Sequence, residues 1–218
     1  MKDCKTYLIK CMEKSNRILL TIKEMFPNAS CELNYSNLYE LLIAVVLSAQ
    51  TTDKRVNIVT KDLFAKFPTV ESLSIATFNE VYDLIKSLGS AKTKTKNIIE
   101  LANVLKEKYN SVVPSTREEL ESLPGVGRKT TNVMLMEGFK IPAIAVDTHV
   151  SRVSQRLSLS NSEDVKKIEQ DLMNTFKEED WYYVHHGLLF FGRYFCLAKN
   201  PKCDECTLKD LCNYHNKK

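Results

Sequence analysis

The stretch that decides the fold is LPGVGRKTT, residues 123–131. The residues before it predict a short helix, because Ser115 and Glu118 have the spacing of a capping box. The dipeptide Pro124-Gly125 then ends this helix, and a second helix follows directly. A helix, a glycine-rich turn and another helix in this order predict a helix-hairpin-helix.

The turn of this hairpin has the composition of a phosphate-binding site. Gly127 is expected to turn the backbone tightly and to expose N–H groups, because it has no Cβ to block a ligand. The second helix is predicted to begin near Arg128 and to end at Gly138. Glycine amides and a helix N-terminus together form a site for an anionic phosphate.

Lys129 falls in the first turn of the second helix. The helix dipole, partial burial and the neighbouring Arg128 would each disfavour a protonated amine at this position. An uncharged lysine is a nucleophile that can form a Schiff base with an aldehydic sugar carbon. The hairpin alone leaves a second interpretation open, in which it only grips a DNA backbone and Lys129 contacts a phosphate.

The segment IPAIAVDTH, residues 141–149, places an acidic side chain at the end of an apolar run. Asp147 stands where a new helix begins, so it suits the role of a helix N-cap. A carboxylate that emerges from an apolar run can also be held ionised near a reacting centre. The two roles are compatible.

Helical periodicity recurs along the 218 residues, and no segment alternates with the period of two that is typical of a strand. The sequence therefore predicts an all-α fold. The net charge of +4 does not by itself indicate a nucleic-acid partner. The N-terminus has no signal core, and the most apolar run, residues 41–47, is far shorter than the roughly 20 residues of a membrane span. We expect an intracellular protein with no membrane partner.

Several helix ends are predicted from their polar residues. Asn37 should open an apolar helix that ends near Ser48, and Thr52 or Asp53 should cap the next helix. Gly89 is predicted to be the C′ residue of a later helix.

Three lysines and a histidine pair outside these motifs are predicted to have structural and not catalytic roles. Lys92, Lys94 and Lys96 alternate ahead of an apolar helix face and are interpreted as a solvated helix start, with phosphate binding as the alternative. The pair His185-His186 is interpreted as structural, because no carboxylate–histidine metal pattern surrounds it.

Four of the seven cysteines, Cys196, Cys203, Cys206 and Cys212, follow the spacing C-x6-C-x2-C-x5-C. An odd number of cysteines without a secretion signal does not favour a disulfide framework. Structural zinc sites usually show two close cysteine pairs, whereas only one close pair is present here. The spacing therefore favours a 4Fe-4S cluster over a zinc ion.

The loop between the first two of these cysteines is basic. Lys199 and Lys202 lie in it, and a metal centre would stiffen the loop. A stiff basic loop suits contact with DNA phosphate.

Four motifs in this order resemble the endonuclease III family of helix-hairpin-helix DNA glycosylase/lyases. They are LLIAVVLSAQTTD at residues 41–53, LPGVGRKT at 123–130, AVDTHV at 145–150 and the four-cysteine tail. The resemblance covers nearly the whole chain.

The resemblance implies an architecture of two helical domains that flank a DNA-binding groove. Residues 31–140 would form a six-helix barrel domain that contains the helix-hairpin-helix. Residues 1–30 and 141–218 would form a discontinuous 4Fe-4S cluster domain.

The resemblance also implies an activity. The family excises oxidised pyrimidines from double-stranded DNA after flipping the damaged nucleotide out of the stack, and it cleaves abasic sites. Lys129 matches the nucleophile that attacks the sugar C1′ to give an imine before β-elimination of the 3′ phosphate. Asp147 matches the aspartate that stabilises positive charge at the sugar and assists lysine activation. The four cysteines match the ligands of a cluster that is structural or redox-sensing.

Two further residues are assigned by the same resemblance: Glu121 matches a pocket carboxylate near the lysine, and Gln50 is the other. Gln50 matches the residue that enters the space left by the flipped base. The expected DNA-binding residues are Gln50, Gly125, Gly127, Arg128, Lys199 and Lys202. The expected lesion-pocket residues are Glu121, Ser48, Asp53 and His149.

One departure from the family concerns the wedge that enters the duplex. After Gly89 the family commonly has a bulky apolar residue and then an aromatic one, whereas Ser90-Ala91 stand there in this chain. We therefore expect weaker discrimination on the strand opposite the lesion.

Two other functions stay open from the sequence. One is a monofunctional glycosylase of the same fold, and the other is a non-catalytic iron–sulfur protein that binds DNA or transfers electrons. A zinc-stabilised DNA structural protein is a third, weaker alternative. Lys129 and the cysteine tail together favour the endonuclease III type. We expect a monomer that works in the cytoplasm or nucleoid of a prokaryote, or in the nucleus of a eukaryote.

Overall fold

The computed structural model describes the backbone of residues 2–216 and the side chains of residues 12–216. Cys4 and Cys11, which the sequence suggests are packing or incidental thiols, lie outside the described side chains. The described residues form helices and no strands, so the predicted all-α fold is confirmed. The α-helices are α1 (Lys2–Met25), α2 (Leu38–Leu47), α3 (Asp53–Lys66), α4 (Val70–Ser74), α5 (Phe78–Ile85), α6 (Ala91–Tyr109), α7 (Arg117–Glu121), α8 (Arg128–Val133), α9 (Thr148–Arg156), α10 (Val165–Thr175), α11 (Trp181–Phe190) and α12 (Asn213–Asn216).

Four shorter helical segments extend or link these helices. The π-helical segments Met134–Gly138 and Phe191–Phe195 directly continue α8 and α11, and Glu178–Asp180 and Lys209–Leu211 are 3-10 turns. Within residues 2–216, no helix combines the length and the apolarity needed to cross a membrane.

The chain divides into two compact units. One is Glu32–Ile141, and the other combines Met1–Cys31 with Pro142–Lys218. That these units act as a hairpin-bearing DNA domain and a cluster domain stays a prediction.

Helix α2 is the centre of the unit Glu32–Ile141. Its residues 41–47 are all buried, as the apolar run predicts. Asn37 caps this helix as predicted, because its side-chain oxygen accepts a hydrogen bond from the backbone N–H of Glu40 at 2.9 Å. Since α2 packs against α3, α6, α8 and the π segment after α8, it sets the positions of the helices that carry candidate site residues.

Helix α11 has the corresponding role in the other unit, where it packs against α1 and α9. The core here includes Ile18 of α1 and Val150 of α9. His185 and His186 are buried, and the Nδ1 atom of His185 lies 2.7 Å from the carbonyl oxygen of Ala145. Both histidines pack inside the unit, as the structural interpretation predicts, and His185 ties α11 to the segment that leads into α9.

Helix α7 begins one residue later than the predicted capping box requires. Thr116, not Ser115, is the N-cap, and its hydroxyl accepts a hydrogen bond from the backbone N–H of Glu119 at 3.3 Å. The Thr116 hydroxyl also donates to the Glu119 carboxylate at 2.7 Å. The predicted pair of Ser115 and Glu118 is therefore wrong by one position, and the pair that is present, Thr116 and Glu119, has the same three-residue spacing.

The predicted role of Gly89 as a C′ residue is also wrong. Helix α5 ends at Ile85, and its C-cap is Lys86. The left-handed backbone in this connection falls on Ser90, whose φ is 57°. Ser90 is the N-cap of α6, so the unusual conformation serves the start of one helix and not the end of the preceding one.

Candidate functional site

The turn between α7 and α8 needs a glycine at position 125. Gly125 has a φ of 75°, in the left-handed region that residues with a Cβ rarely adopt. A Cβ added there would lie 2.8 Å from the Nδ2 atom of Asn97. The fold therefore requires glycine here, both for the backbone conformation and for the close approach of α6.

The backbone of Gly127 does not form the tight turn that the sequence predicts. Its φ of −110° and ψ of 179° are extended values that any residue can adopt. A Cβ at this position would meet nothing within 4 Å. Gly127 is the N-cap of α8, and without a side chain it provides no cap hydrogen bond to the first turn. The space that a capping side chain would fill is therefore open to an approaching ligand.

Lys129 lies in the first turn of α8, as predicted, but it is exposed. The predicted partial burial of this lysine is therefore wrong. Its neighbour Arg128 is half-buried.

Glu121, at the last position of α7, forms an ion pair on its own helix. The Nη1 atom of Arg117 lies 3.4 Å from the Oε1 atom of Glu121. Because both side chains are about a third exposed, at 32% and 37%, the pair contributes little to stability. The structure thus gives the Glu121 carboxylate a weak structural role that leaves it accessible.

Asp147 is the N-cap of α9, which confirms the first of its two predicted roles. Its Oδ1 atom accepts hydrogen bonds from the backbone N–H groups of His149 at 2.9 Å and Val150 at 2.8 Å. Both bonds converge on Oδ1, so the capping role does not use Oδ2. The half-buried carboxylate is held in one orientation by its own helix.

His149 lies on the first turn of α9, against the end of α11. A Cβ added to Gly192 would come within 2.9 Å of the Cβ of His149, so a glycine allows this close packing. The Nδ1 atom of His149 lies 3.3 Å from the Nη2 atom of Arg152. Arg152 also donates to the carbonyl oxygens of Gly192 at 2.6 Å and Cys196 at 3.2 Å. Its partial burial lowers the pKa of Arg152, and the neighbouring charge of Arg156 lowers it further.

The loop between α2 and α3, with the first residue of α3, carries three of the candidate residues. Ser48 is half-buried and donates from its hydroxyl to the carbonyl oxygen of Val45 at 2.8 Å. Gln50 is exposed and has a φ of 53°. Thr52, not Asp53, is the N-cap of α3, and Asp53 is the first residue of that helix.

The position of Lys94 contradicts the prediction that the lysines at the start of α6 are solvated. Its side chain is buried, and its Nζ atom donates to the carbonyl oxygen of Ala49 at 2.7 Å and to the Thr51 hydroxyl at 2.9 Å. Lys92 and Lys96 are exposed, so the prediction holds only for them. The sequence does contain a signal for the burial of Lys94. Helical spacing places position 94 on the same face as the buried residues at 91 and 98.

The four predicted cluster ligands surround one cavity. Cys196, Cys203, Cys206 and Cys212 line it, together with apolar side chains that include Phe191. Burial raises the pKa of the Cys206 thiol; a backbone hydrogen bond opposes this, and the other three cysteines raise the pKa further. Among the described residues, no three His, Cys, Asp or Glu side chains form a group that could hold a single metal ion. Four thiols around one cavity are a donor set that fits a 4Fe-4S cluster.

An arginine that sequence reasoning missed contacts this cavity. Arg156 donates from Nη1 to the Sγ atom of Cys196 at 3.3 Å and to the carbonyl oxygen of Leu197 at 2.8 Å, while its guanidinium lies over the ring of Tyr214. Lys199 and Lys202, the two predicted DNA-contacting lysines of this loop, are exposed.

Comparison with known proteins agrees with these features. A family model described as HhH-GPD superfamily base excision DNA repair protein matches residues 43–178. A second model, described as the iron-sulfur binding domain of endonuclease III, matches residues 196–212 and so begins and ends at the outer cysteines. The second match confirms the predicted iron–sulfur cofactor, a 4Fe-4S cluster.

Relatives match over nearly the whole chain. Endonuclease III of Bacillus subtilis is 49% identical over 90% of this chain and 90% of that protein. Endonuclease III of Haemophilus influenzae is 43% identical over 94% of this chain and 99% of its own length. A solved structure of a trapped endonuclease III–DNA covalent intermediate is 46% identical, with a TM-score of 0.91 over 94% of this chain and 97% of that one. The protein therefore belongs to the endonuclease III family, the base-excision-repair DNA glycosylases that are also apurinic/apyrimidinic lyases.

Proposed function

We propose that this protein removes oxidised pyrimidines from double-stranded DNA and cleaves the strand at abasic sites through a Schiff base on Lys129. The observation that carries the proposal is an exposed lysine in the first turn of α8, directly after a glycine N-cap that leaves the helix N-terminus open. A 46% identical endonuclease III has been solved as a covalent intermediate with DNA, which supports a covalent mechanism here.

Lys129 is the nucleophile. Its uncharged amine attacks C1′ of the damaged nucleotide, and the base leaves with the electron pair of the C1′–N bond and takes up a proton. The opened sugar and the lysine nitrogen then form an imine. Loss of a proton from C2′ expels the 3′ phosphate and completes β-elimination, after which water releases the lysine.

Asp147 supplies negative charge while the bond to the base breaks. Its Oδ1 atom is fixed by the two backbone N–H groups of α9, so the carboxylate needs no reorientation. A preorganised anion stabilises positive charge that develops on the sugar.

The hairpin binds a backbone phosphate. The open N-terminus of α8 offers N–H groups to an anion, and Arg128 adds a positive charge. Lys199 and Lys202 add phosphate contacts, and Gln50 fills the space left by the flipped base. The proposed lesion-pocket residues are Glu121, Ser48, Asp53 and His149.

The four cysteines that line the cavity would hold the cluster as thiolates. A cluster bound there would supply a crosslink within the C-terminal segment, and the basic loop between Cys196 and Cys203 would thereby be held in one conformation. We propose that the protein acts as a monomer inside the cell, where its DNA substrate lies.

The test is a single-turnover assay on duplexes that contain an oxidised thymine, an abasic site or no lesion. Lys129→Ala should lower strand cleavage on the first two duplexes by about a thousandfold or more, because the covalent step has no nucleophile. Binding to an uncleavable abasic analogue should persist. The matched control is Lys61→Ala, which removes an exposed lysine of the same unit and should cleave at the wild-type rate.

Each other outcome points to a different function. If Lys129→Ala released the oxidised base without cutting the strand, glycosylase chemistry would not depend on the lysine. If the wild-type protein cut only abasic duplexes, the proposed base substrate would be wrong.

A further inference from the structure

The loop that presents Gln50 holds an unfavourable backbone conformation. Gln50 has a φ of 53°, in the left-handed region that non-glycine residues rarely occupy. Such a conformation is unfavourable and persists only where neighbouring contacts impose it. The side chain itself is exposed, so its own packing does not explain the conformation.

Two hydrogen bonds from Lys94 hold the residues on either side of Gln50. The Nζ atom of Lys94 donates to the carbonyl oxygen of Ala49 at 2.7 Å and to the hydroxyl of Thr51 at 2.9 Å, the two residues that flank Gln50. The Thr51 hydroxyl in turn lies 3.3 Å from the Ala49 carbonyl oxygen, and the Thr51 N–H donates to the Ser48 carbonyl at 3.0 Å. One ammonium group therefore clamps the loop on both sides of Gln50.

Burial makes the ammonium group of Lys94 depend on these two hydrogen bonds. Only 5% of Lys94 is exposed, and burial lowers the pKa of its ammonium group. A buried ammonium loses its hydration and depends on the hydrogen bonds that replace it. Helix geometry fixes its direction, because position 94 lies on the buried face of α6 with Ala91 and Ile98. The loop is thereby attached to a helix of the core.

We propose that Lys94 is a positioning residue that holds the Gln50 loop in its DNA-binding conformation before DNA arrives. The inference rests on the proposed role of Gln50 in filling the space of the flipped base. A loop that is already ordered loses less conformational entropy on binding, so the duplex is bound more tightly.

The experiment measures dissociation constants for an uncleavable abasic analogue in a duplex and in a single strand. Lys94→Met keeps the length and apolar stem of the side chain but removes both hydrogen bonds. It should weaken duplex binding by about tenfold, which corresponds to about 1.4 kcal/mol, and should leave single-strand binding within about twofold. Lys96→Met is the charge control: it removes an exposed lysine two positions away and should cost clearly less than Lys94→Met.

A double-mutant cycle with Gln50→Ala separates positioning from general loss of structure. If Lys94 acts through Gln50, Lys94→Met should weaken duplex binding by less than about twofold in the Gln50→Ala background. A full tenfold loss in that background would overturn the inference while the role of Gln50 stood. If Gln50→Ala itself bound the duplex normally, the proposed role of Gln50 would fail, and this inference with it.

Thr51→Val tests the same clamp from the acceptor side. It removes one of the two oxygens that Lys94 contacts and leaves the lysine in place. We expect a smaller loss of duplex affinity that is not additive with Lys94→Met. The variant also keeps the inference testable if Lys94→Met does not fold, because wild-type duplex affinity in a folded Thr51→Val protein would contradict the clamp.

Discussion

The N-termini of α8 and α9 have nearly the same backbone but opposite capping. Gly127 and Asp147 both stand at extended N-cap positions, with φ values of −110° and −105°. Asp147 accepts two hydrogen bonds from the first turn of α9, whereas Gly127 has no side chain with which to cap α8. The difference therefore lies in the side chain alone.

In α9 a side chain of the protein caps the helix N-terminus, whereas in α8 the N-terminus is left open for a ligand. Uncapped N–H groups and the helix dipole attract an anion. At α9 the anion is part of the protein, and its orientation is fixed. At α8 the place of the anion is open, which suits a DNA phosphate beside the exposed Lys129.

Among changes to these two helix ends, the largest expected effect comes from removing the charge of Asp147 while keeping its cap. Asp147→Asn retains a side-chain oxygen for the two backbone N–H groups, so the melting temperature should stay near that of the wild type. Base excision should fall by roughly a hundredfold, because the sugar loses its stabilising anion. Single-turnover excision and thermal unfolding measure the two effects.

Asp147→Ala is the matched variant, since it removes the charge and the cap together. It should show the same loss of excision and an additional loss of about 1 kcal/mol in the free energy of unfolding. Full excision activity in Asp147→Asn would mean that Asp147 is only a cap.

The next effect comes from giving α8 the cap that α9 has. Gly127→Asp should be accommodated, because the backbone is extended and a Cβ meets nothing within 4 Å. It should weaken duplex DNA binding by about tenfold or more, since a carboxylate would occupy the place of the phosphate and repel it. Gly127→Ala serves as the control for volume without charge, and equal affinities for Gly127→Asp and the wild type would contradict an open phosphate site.

The smallest expected effect concerns the fold alone. Gly125→Ala forces a Cβ into a left-handed conformation and against Asn97, so it should lower the free energy of unfolding by about 1–2 kcal/mol. Gly127→Ala should be neutral or slightly stabilising, because its backbone suits alanine. Chemical denaturation of both variants measures the difference, and equal losses would show that the two glycines do not have separate roles.

Local signals made much of the fold predictable from the sequence. Asn37 and Asp147 were identified as caps because the relevant N–H groups lie two or three residues away along the chain. The four cysteines were identified by spacing within one short segment.

Tertiary contacts were the part that the sequence did not reveal. Lys94 looks solvated in an alternating run of lysines; helical spacing places it on a buried face, but its hydrogen-bond acceptors lie 43 and 45 positions away and could not be identified locally. Arg156 reaches the Cys196 sulfur across 40 positions, without any local motif. Gly125 and Gly127 look equivalent in the sequence, and the structure distinguishes them by the left-handed backbone of Gly125 and by the nearby Asn97 side chain.

The central claim is that Lys129 forms the covalent bond to DNA. The most direct measurement is borohydride reduction during reaction with an abasic duplex, followed by proteolysis and mass spectrometry of the DNA-linked peptide. We predict that the sugar remnant lies on the Nζ atom of Lys129 and that Lys129→Ala yields no adduct. An adduct of wild-type yield on another amine, in either protein, would contradict the account.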